Sequence, residues 1–202
     1  MTTTRVVMFD LGGVLVEMRG GERMRSLLSS GGIDDVWQHW RDSLAVHDHE
    51  TGRCNSDQFA DRIIAELNLT VARNEFLDAF LSWPGALFPG VEGLIASLGE
   101  VQLACLSNTS HFHWHHQEAM APLHKMFPLH YLSFEIGIMK PQPEIYAHVQ
   151  ADLGCPPEEI LFFDDLKANV DAALDAGWQA YRVAGIEPVR QVLAKLNLIG
   201  KP

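Results

Sequence analysis

The stretch that decides the fold runs from Arg5 to Val16 and reads RVVMFDLGGVLV. A short apolar, β-branched run ends at the carboxylate of Asp10, and a Gly-Gly turn then leads into a second apolar run. A run of this kind is typical of a strand buried on both faces, as in a parallel sheet. Because open α/β sheets bind ligands at the carboxyl ends of their strands, Asp10 is a candidate nucleophile or metal ligand. The alternative is an aspartate that only caps the turn.

The composition is that of a globular protein and argues against one class of partner. The chain has 202 residues, of which 47% are hydrophobic and 20% charged, enough for one large domain or a core with a small insert. The net charge of -11 argues against nucleic acid as a partner. If such an acidic protein acts on a phosphate, it needs local positive charge, such as a metal ion together with a lysine.

Cysteine spacing and hydropathy bear on the cellular compartment. The three cysteines, Cys54, Cys105 and Cys155, are widely spaced and odd in number, which fits a reducing compartment better than a disulfide scaffold. Cys105 lies inside an apolar run and is interpreted as core packing. No apolar stretch is long enough for a signal peptide or a membrane span. We therefore expect a soluble cytoplasmic protein with no membrane partner.

Short apolar runs alternate with amphipathic segments along much of the chain. The runs typical of buried strands are Val6–Phe9, Leu103–Leu106, Tyr131–Phe134, Ile160–Phe163 and Ala180–Val183. Helical spacing of apolar residues occurs in Pro89–Leu98, Pro143–Leu153 and Asn169–Ala176, and Gly177 follows as a helix-ending glycine. Strands that alternate with helices predict βαβ units and a parallel sheet.

The segment from Glu22 to Leu87 has a different character. It contains no convincing strand, and its amphipathic patterns, Ser56–Leu67 and Ala72–Leu81, are separated by polar or glycine-containing turns such as Thr51-Gly52-Arg53. Ser56 is placed as an N-cap. The pattern predicts a small helical bundle inserted after the first strand, above the carboxyl edge of the sheet. Inserts in such places exclude water and select substrates.

Histidines crowd one segment of the chain, at positions 111, 113, 115 and 116. Zinc sites usually combine histidine with Cys or carboxylate ligands at set spacings, and the sequence offers no matching partner set. We therefore interpret this segment as an exposed helix start rather than a zinc site. His47 and His49 lie in a polar stretch and receive the same interpretation.

Four polar sites follow the predicted strands, in the order that one active site would need. Asp10 is the first, and the second is Ser107-Asn108-Thr109, whose hydroxyl and backbone N–H groups could hold phosphate oxygens. The third is Lys140, which follows Gly137 and precedes Pro141 and could bring an ammonium to an anion. The fourth is Asp164-Asp165, a pair of carboxylates that is costly to assemble unless a cation such as Mg²⁺ holds it. A helix cap, a solvated lysine or a turn could explain each site alone, but four in this order point to chemistry.

These residues resemble the motifs of the haloacid dehalogenase-like hydrolase superfamily, and all four of its motifs are present. The resemblance covers essentially the whole chain, including a helical cap at the position of the family's type C1 insert. It implies an α/β fold with a Rossmann-like parallel-sheet core, residues 1–16 and 88–202, and an all-helical cap, residues 17–87. Bacterial members with Asp-Leu-Gly-(Gly/Asn)-Val, which include sugar-phosphate phosphatases, have the most similar first motif. The implied activity is that of a Mg²⁺-dependent phosphatase of small phosphorylated metabolites, such as sugar phosphates.

The resemblance also implies a nucleophile and a metal site. Asp10 would attack phosphorus in line and form an aspartyl-phosphate. Mg²⁺ would be held by the Asp10 carboxylate, by the backbone carbonyl of Gly12 and by the acidic pair, with Asp165 as a direct ligand and Asp164 as a direct or supporting one. Asn169 would support the metal loop.

Further residues are implied to bind the substrate. Ser107, Asn108 and Lys140 would hold the oxygens of the transferring phosphoryl group, so that catalysis is mainly positioning and electrostatic stabilisation. Lys140 would thus be both a catalytic and a substrate-binding residue.

The sequence departs from the family pattern at Gly12. Phosphatases of this superfamily usually carry a second Asp at this position, which protonates the leaving group and then activates water. Glycine keeps the backbone carbonyl but removes the acid and base, whose help is typically worth about 10²–10⁴-fold. Three outcomes stay open: a leaving group that needs little protonation, another acid or base such as Glu17, His47 or His49, or a catalytically weak protein that binds phosphate ligands.

Two other functions fit parts of the sequence. A 2-haloacid dehalogenase also lacks the second Asp, but it usually has Tyr at that position and no metal for the acidic pair to hold. A cap that serves as a protein-interaction surface would use its large aromatics, Trp37, Trp40 and Trp83. The i, i+3 spacing of Trp37 and Trp40 favours core packing instead.

Overall fold

A computed structural model of the chain describes residues 4–27 and 33–200. The strands, in chain order, are β1 (Val6–Phe9), β2 (Val16–Met18), β3 (Pro84–Leu87), β4 (Gln102–Ser107), β5 (Leu129–Leu132), β6 (Ile160–Asp164) and β7 (Gln179–Arg182). A five-stranded parallel sheet has the order β5-β4-β1-β6-β7, and β2 pairs with β3 in a separate antiparallel sheet. The α/β class and the parallel-sheet core are therefore confirmed.

The helices lie around this sheet and in one inserted group. Their bounds are α1 (Gly20–Leu27), α2 (Ile33–Asp42), α3 (Leu44–Glu50), α4 (Ser56–Glu66), α5 (Arg73–Leu81), α6 (Val91–Ser97), α7 (His111–His116), α8 (Ala121–Met126), α9 (Ser133–Ile136), α10 (Pro143–Leu153), α11 (Lys167–Asp175) and α12 (Ile186–Lys195). We call α1–α5 the cap and the rest of the fold the core.

The central strand positions the first motif. All four residues of β1 are buried, because β4 and β6 flank it on either side and helices cover both faces. Phe9 is level with Cys105 of β4 and Phe163 of β6, and the Asp10 N–H donates to the Phe163 carbonyl at 2.8 Å. Since the strands are parallel, the residues that follow β1, β4 and β6 meet at one edge of the sheet.

Each face of the sheet has its own apolar core. On one face, Val7 and Phe9 pack with residues of α6, α7, α8 and α12. On the other, Val6 and Met8 pack with residues of α10 and α11 and with Trp178. Cys105 is fully buried, which confirms its interpretation as core packing, and all three cysteines are free thiols.

The third and fifth predicted strands are displaced. The third ends at Leu132 instead of Phe134, because Ser133 starts α9. The buried Ser133 hydroxyl accepts from the Thr109 N–H and donates to the Thr109 carbonyl, both at 3.0 Å, so it fastens this turn to the end of β4. The fifth strand, β7, lies one residue earlier than predicted.

Helix boundaries differ from the prediction by one or two residues. α6 begins at Val91 rather than Pro89, after Gly90 in the left-handed conformation, and α11 begins at Lys167 rather than Asn169. The prediction that Gly177 ends the last of these helices is confirmed, since Gly177 follows the α11 C-cap with φ of +86°.

The segment predicted to hold no strand contains one. Pro84–Leu87 forms β3, which pairs with β2. Its Pro-Gly start has low strand propensity, so the pattern gave no signal, and the pairing with β2 supplies the stabilisation. The predicted N-cap Ser56 is also wrong: Asn55 caps α4 in a reciprocal capping box with Gln58.

The cap has an aromatic core. Trp40, Phe59 and Phe80 pack together, with Phe76 and Trp83 beside them. Trp40 and Trp83 are buried, as core packing predicts, whereas the side chain of Trp37 lies outside the described residues. In residues 4–27 and 33–200, no helix is long and apolar enough to cross a membrane.

Candidate active site

Lys140 is at the centre of the charged groups at the sheet edge. Its ammonium donates to Asp10 Oδ1 at 2.8 Å, to Asp164 Oδ2 at 2.7 Å and to the Leu106 carbonyl at 2.8 Å. Only 2% of the residue is exposed. A buried ammonium is stable only when its donors are satisfied, and this one has three oxygen acceptors.

The backbone of Lys140 is held by the end of β4. The Asn108 side chain accepts from the Lys140 N–H and donates to the Lys140 carbonyl, both at 2.8 Å. The two hydrogen bonds tie the loop after α9 to the second motif. Asn108 was predicted to bind substrate, and the structure shows that its side-chain amide is occupied by Lys140.

The Asp164 carboxylate is fully buried and held from several directions. The Asn169 amide donates to both of its oxygens at 3.0 Å, and the Leu166 N–H donates to Oδ1 at 2.8 Å. The Tyr146 hydroxyl in turn donates to the Asn169 carbonyl at 2.9 Å. Asn169 therefore holds Asp164, one member of the acidic pair, as a supporting residue would.

A group of carboxylates fits a divalent cation. Asp10, Asp164 and Asp165 each offer an oxygen, and these oxygens all lie within 4.8 Å of one another. Among the described residues, no backbone N–H donates to the Gly12 carbonyl, which leaves this oxygen available as a further ligand. Hard oxygen donors of this kind suit Mg²⁺. The donor set therefore fits the metal that the sequence predicts.

The turn after Asp10 must approach the acidic pair closely. Gly13 has φ of +74°, and a Cβ at this position would lie 2.6 Å from Asp165 Oδ2. Two features therefore require glycine at position 13: the left-handed backbone conformation and the close approach of the Asp165 side chain.

Burial and charge determine the protonation of these groups. Burial raises the pKa of Asp10 to about 7, against the Lys140 ammonium, which lowers it, while Asp164 raises it further. Burial likewise raises the pKa of Asp165. The pKa of Lys140 is raised, because the attraction of Asp10 and Asp164 outweighs burial, so Lys140 carries its charge. A cation at the acidic group would favour the ionised carboxylates.

A cavity of about 270 Å³ lies between the cap and this edge of the sheet. The core side includes Gly12, two residues after Asp10, together with Ser107 and Asn108. The cap side is largely apolar. The lining residues are Leu11, Gly12, Val16, Met18, Gly20, Gly21, Trp40, Glu50, Phe80, Trp83, Pro84, Ser107, Asn108, Thr109, Ser110, His113 and Met120.

The side chains considered as replacements for the missing acid lie elsewhere. Glu17 is paired with Arg19 at 2.8 Å on the surface. His47 lies beside Asp48, and His49 stacks on Phe59 inside the cap, with ring centroids 4.2 Å apart. None of the three is part of the cavity lining.

The sequence analysis missed Glu50. It ends α3, immediately before the Thr51-Gly52-Arg53 turn, and lines the cavity from the cap side. A weak signal was available, since a carboxylate precedes a glycine turn in the segment predicted to cover Asp10.

The histidine-rich segment forms α7, which Ser110 caps, and three of its histidines are exposed. The interpretation as an exposed helix start is wrong for His113, which is buried and has Nε2 2.8 Å from the Phe80 carbonyl. Burial lowers the pKa of His113 to about 4, so the neutral ring donates to this carbonyl. Among the described residues, the one group of three or more potential ligands close enough to share a metal is Asp10, Asp164 and Asp165.

Comparisons with known proteins agree with this geometry. The profile of the haloacid dehalogenase-like hydrolase family matches residues 4–177. D-Ribitol-5-phosphate phosphatase of Bacteroides thetaiotaomicron is 24% identical over 188 residues, which are 87% of this chain and 90% of that protein. A crystal structure of a HAD family enzyme from the same species matches with a TM-score of 0.79 and 26% identity, over 94% of this chain and 98% of that one. The complex of that enzyme with magnesium and inorganic phosphate matches with a TM-score of 0.72 and 25% identity, over 89% of this chain and 93% of that one.

Proposed function

The chain belongs to the haloacid dehalogenase-like hydrolase family, and on this basis we propose that it is a Mg²⁺-dependent phosphatase of small phosphorylated metabolites, such as sugar phosphates. The observation that carries the proposal is the Lys140 ammonium, which bridges Asp10 and Asp164 beside a third carboxylate, Asp165. Family membership and the named activity of the ribitol-phosphate phosphatase support it. The proposed domain boundaries are residues 17–87, which would add β3 and most of β2 to the cap, and residues 1–16 and 88–202 for the core.

Asp10 is the proposed nucleophile. Lys140 holds Oδ1 of its carboxylate, whereas no hydrogen bond among the described residues engages Oδ2. One carboxylate oxygen would attack phosphorus in line and form an aspartyl-phosphate, and water would then hydrolyse this intermediate. Because Lys140 fixes the side chain, the nucleophile is oriented before the substrate arrives.

The proposed metal ligands are Asp10, the Gly12 carbonyl and the acidic pair. Both oxygens of Asp164 already accept hydrogen bonds from Lys140 and Asn169, so Asp165 is favoured as the direct ligand of the pair. When bound, Mg²⁺ supplies positive charge that neutralises the carboxylates and orients the phosphoryl group. The complex of the related HAD family enzyme with magnesium and inorganic phosphate supports magnesium as the cation.

The remaining core residues would bind the phosphoryl oxygens. Ser107 lines the cavity and is 4% exposed, and its hydroxyl can donate a hydrogen bond to an anion. Asn108 would contribute its backbone N–H, since its side chain holds Lys140. Lys140 is not part of the cavity lining, and Asp10, Asp164 and the Leu106 carbonyl take its three ammonium donors, so it would act on the phosphoryl group through its positive charge rather than by a direct hydrogen bond.

Metal dependence and the Asp10→Asn variant test the proposed function together. We expect p-nitrophenyl phosphate hydrolysis to be lost in EDTA and restored by excess Mg²⁺, and to be abolished in Asp10→Asn with the fold intact by circular dichroism. Asp171→Asn is the matched control, because Asp171 is exposed on α11 and pairs only with Lys167 in the described structure. We expect it to retain full activity.

Other results would redirect the assignment. Hydrolysis of p-nitrophenyl phosphate that survives EDTA would contradict the proposed metal dependence. Metal-independent release of halide from 2-haloacids would favour a dehalogenase. If p-nitrophenyl phosphate is hydrolysed, a panel of phosphorylated metabolites that includes sugar 1-phosphates and acyl phosphates would identify the substrate class by kcat/KM.

A further inference from the structure

Glu50 is the only acidic side chain among the described residues that line the cavity. It is partly buried, and it lies near enough to the charged centre for Lys140 and Asp10 to act on it electrostatically. Within the described chain, no hydrogen bond or ion pair engages its carboxyl group. A partly buried carboxyl group without such a protein partner is free to act on a ligand in the cavity.

The end of α3 is anchored to the core, so the position of Glu50 is defined. Gly52, two residues further on, has φ of +72°, and a Cβ there would overlap the Phe134 carbonyl oxygen of α9. The Thr51 hydroxyl donates to the His47 carbonyl at 2.6 Å and closes the last turn of the helix. Glu50 therefore projects from a segment that packs directly on the core, rather than from the outer part of the cap.

We propose that Glu50 is the general acid and base of this phosphatase and takes the role for which Gly12 provides no side chain. The inference rests on the proposed phosphatase function and on the acidic group that the cap, rather than the core, brings to the cavity.

Glu50 transfers one proton in each of the two steps of the reaction. In the first, an Asp10 oxygen forms a bond to phosphorus, the bond from phosphorus to the leaving oxygen breaks, and the Glu50 carboxylic acid gives its proton to that oxygen. In the second, a water oxygen bonds to phosphorus, the aspartyl oxygen–phosphorus bond breaks, and the Glu50 carboxylate takes a proton from the water. The products are an alcohol and inorganic phosphate, and both side chains return to their starting state.

The environment of Glu50 suits this role. Burial raises the pKa of the Glu50 carboxyl to about 7. The Lys140 ammonium lowers this pKa in part, and the negative charge of Asp10 raises it. A neutral carboxylic acid donates a proton and does not repel a phosphate dianion, as a carboxylate would. By contrast, burial lowers the pKa of His49 to about 4, and its ring lies in the aromatic core of the cap.

Dependence on the leaving group separates acid catalysis from other roles. We would measure kcat/KM for wild type and Glu50→Gln with a series of aryl and alkyl phosphates of increasing leaving-group basicity. Because kcat/KM reports only the steps through release of the leaving group, the second step does not influence it. We expect a loss of about 10²–10⁴-fold for alkyl phosphates, a much smaller loss for p-nitrophenyl phosphate, and a steeper dependence on basicity in the variant.

Burst kinetics test the second step. With p-nitrophenyl phosphate, Glu50→Gln should release close to one equivalent of p-nitrophenolate rapidly and then turn over slowly, because the phosphoenzyme forms but is hydrolysed without a base. We expect Glu50→Asp to recover part of the loss, since it restores a carboxyl group.

Controls make each result decisive. Glu75→Gln removes an exposed carboxylate from α5 of the same cap and should leave both kinetic patterns unchanged. An equal loss on all substrates, or a rise in KM with an unchanged saturating rate, would overturn the acid–base role and indicate a structural or substrate-binding one. Absence of wild-type turnover on any phosphate ester would instead contradict the proposed function. If Glu50→Gln fails to fold, a steep dependence on leaving-group basicity in the wild type would by itself count against the proposal, and a shallow one would support it.

Discussion

The core and cap sides of the cavity hold their polar groups in different ways. On the core side, Lys140 is bonded to three oxygens and its backbone is bonded to Asn108, while Asp164 accepts from Lys140 and Asn169. The cap side is built from an aromatic cluster and presents one carboxyl, Glu50, that no described residue pairs. The difference teaches that protein groups already satisfy Lys140 and Asp164 on the core side, whereas the carboxyl group of Glu50 has no protein partner among the described residues on the cap side.

This difference has a counterpart in stability. The core network satisfies buried charges and breaks at a high cost, since each member compensates another. The cap is stabilised by aromatic packing, and its contribution to the site depends on where the end of α3 is held. Variants that break the core charge network should therefore lose stability, whereas variants that displace the end of α3 should mainly lose activity.

The largest effect is expected when the core network loses its cation. Lys140→Met leaves Asp10 and Asp164 buried without a counter-charge, which should lower the free energy of unfolding by about 3–5 kcal/mol and abolish activity. Urea denaturation in EDTA measures the stability. Lys167→Met is the control, because Lys167 is exposed and forms a surface pair with Asp171. If both variants lose equally little stability, the buried network does not hold the core site together.

A smaller stability effect but a clear functional one is expected at the cap–core contact. Gly52→Ala and Gly154→Ala both place a side chain at positive φ, +72° and +58°, with strain of about 1–2 kcal/mol. Only at Gly52 does the new Cβ overlap a backbone atom, the Phe134 carbonyl, whereas nothing lies within 4 Å of it at Gly154. Gly52→Ala should displace Glu50 and lower kcat/KM on the order of 10²-fold, while Gly154→Ala should lower only the melting temperature. Equal activities would show that the position of α3 does not matter for catalysis.

The smallest effect is expected at the buried His113, where the stability of the protein should change only at acidic pH. The pKa of His113 is about 4 in the folded protein, below the ordinary value of 6.5. The unfolded chain therefore takes up a proton at a higher pH than the folded protein does. The contribution of His113 to the free energy of unfolding is complete above pH 6.5 and is lost as the pH falls toward 4. A difference of this size corresponds to roughly 3 kcal/mol at full protonation. Buried Asp10 and Glu50, whose pKa values are raised to about 7, act in the opposite direction over this range, so wild type alone mixes the two effects.

Comparison with a variant isolates the histidine. His113→Gln keeps a donor for the Phe80 carbonyl but does not titrate. The stability of this variant relative to wild type should therefore rise steadily as the pH falls from 6.5 to 4. Denaturant midpoints at several pH values give this difference. Parallel curves for the two proteins would mean that His113 carries no acid-sensitive stability.

The core site was predictable to a large extent. Asp10 follows β1, Asp164 is the last residue of β6 and Lys140 follows α9, and parallel topology places such positions at one edge of the sheet. Asn169 was expected to support the metal loop, and it donates to both oxygens of Asp164. The orientation of the Asn108 side chain was not predictable, because an amide can serve a ligand or a neighbouring backbone equally well.

The cap was less predictable, for reasons of helical geometry. Residues 47–50 lie on one short helix, and rotation of about 100° per residue decides which of them faces the cap interior and which faces the cavity. His49 faces the aromatic core, and Glu50 faces the cavity. In a seven-residue helix the apolar pattern is too short to determine this rotation from the sequence. The strand β3 was missed for a related reason, since Pro84 and Gly85 gain strand geometry only through pairing with β2.

By itself, the sequence determined the α/β class, the inserted helices, the motif residues at the strand ends and the absence of an acid at Gly12. These features follow from local periodicity and from the residue types that the chemistry needs. Only the tertiary structure decided that Lys140 closes a charge network between Asp10 and Asp164, and that Glu50 meets the cavity from the opposite side. Both depend on contacts between segments far apart in the chain, which packing, and no local pattern, specifies.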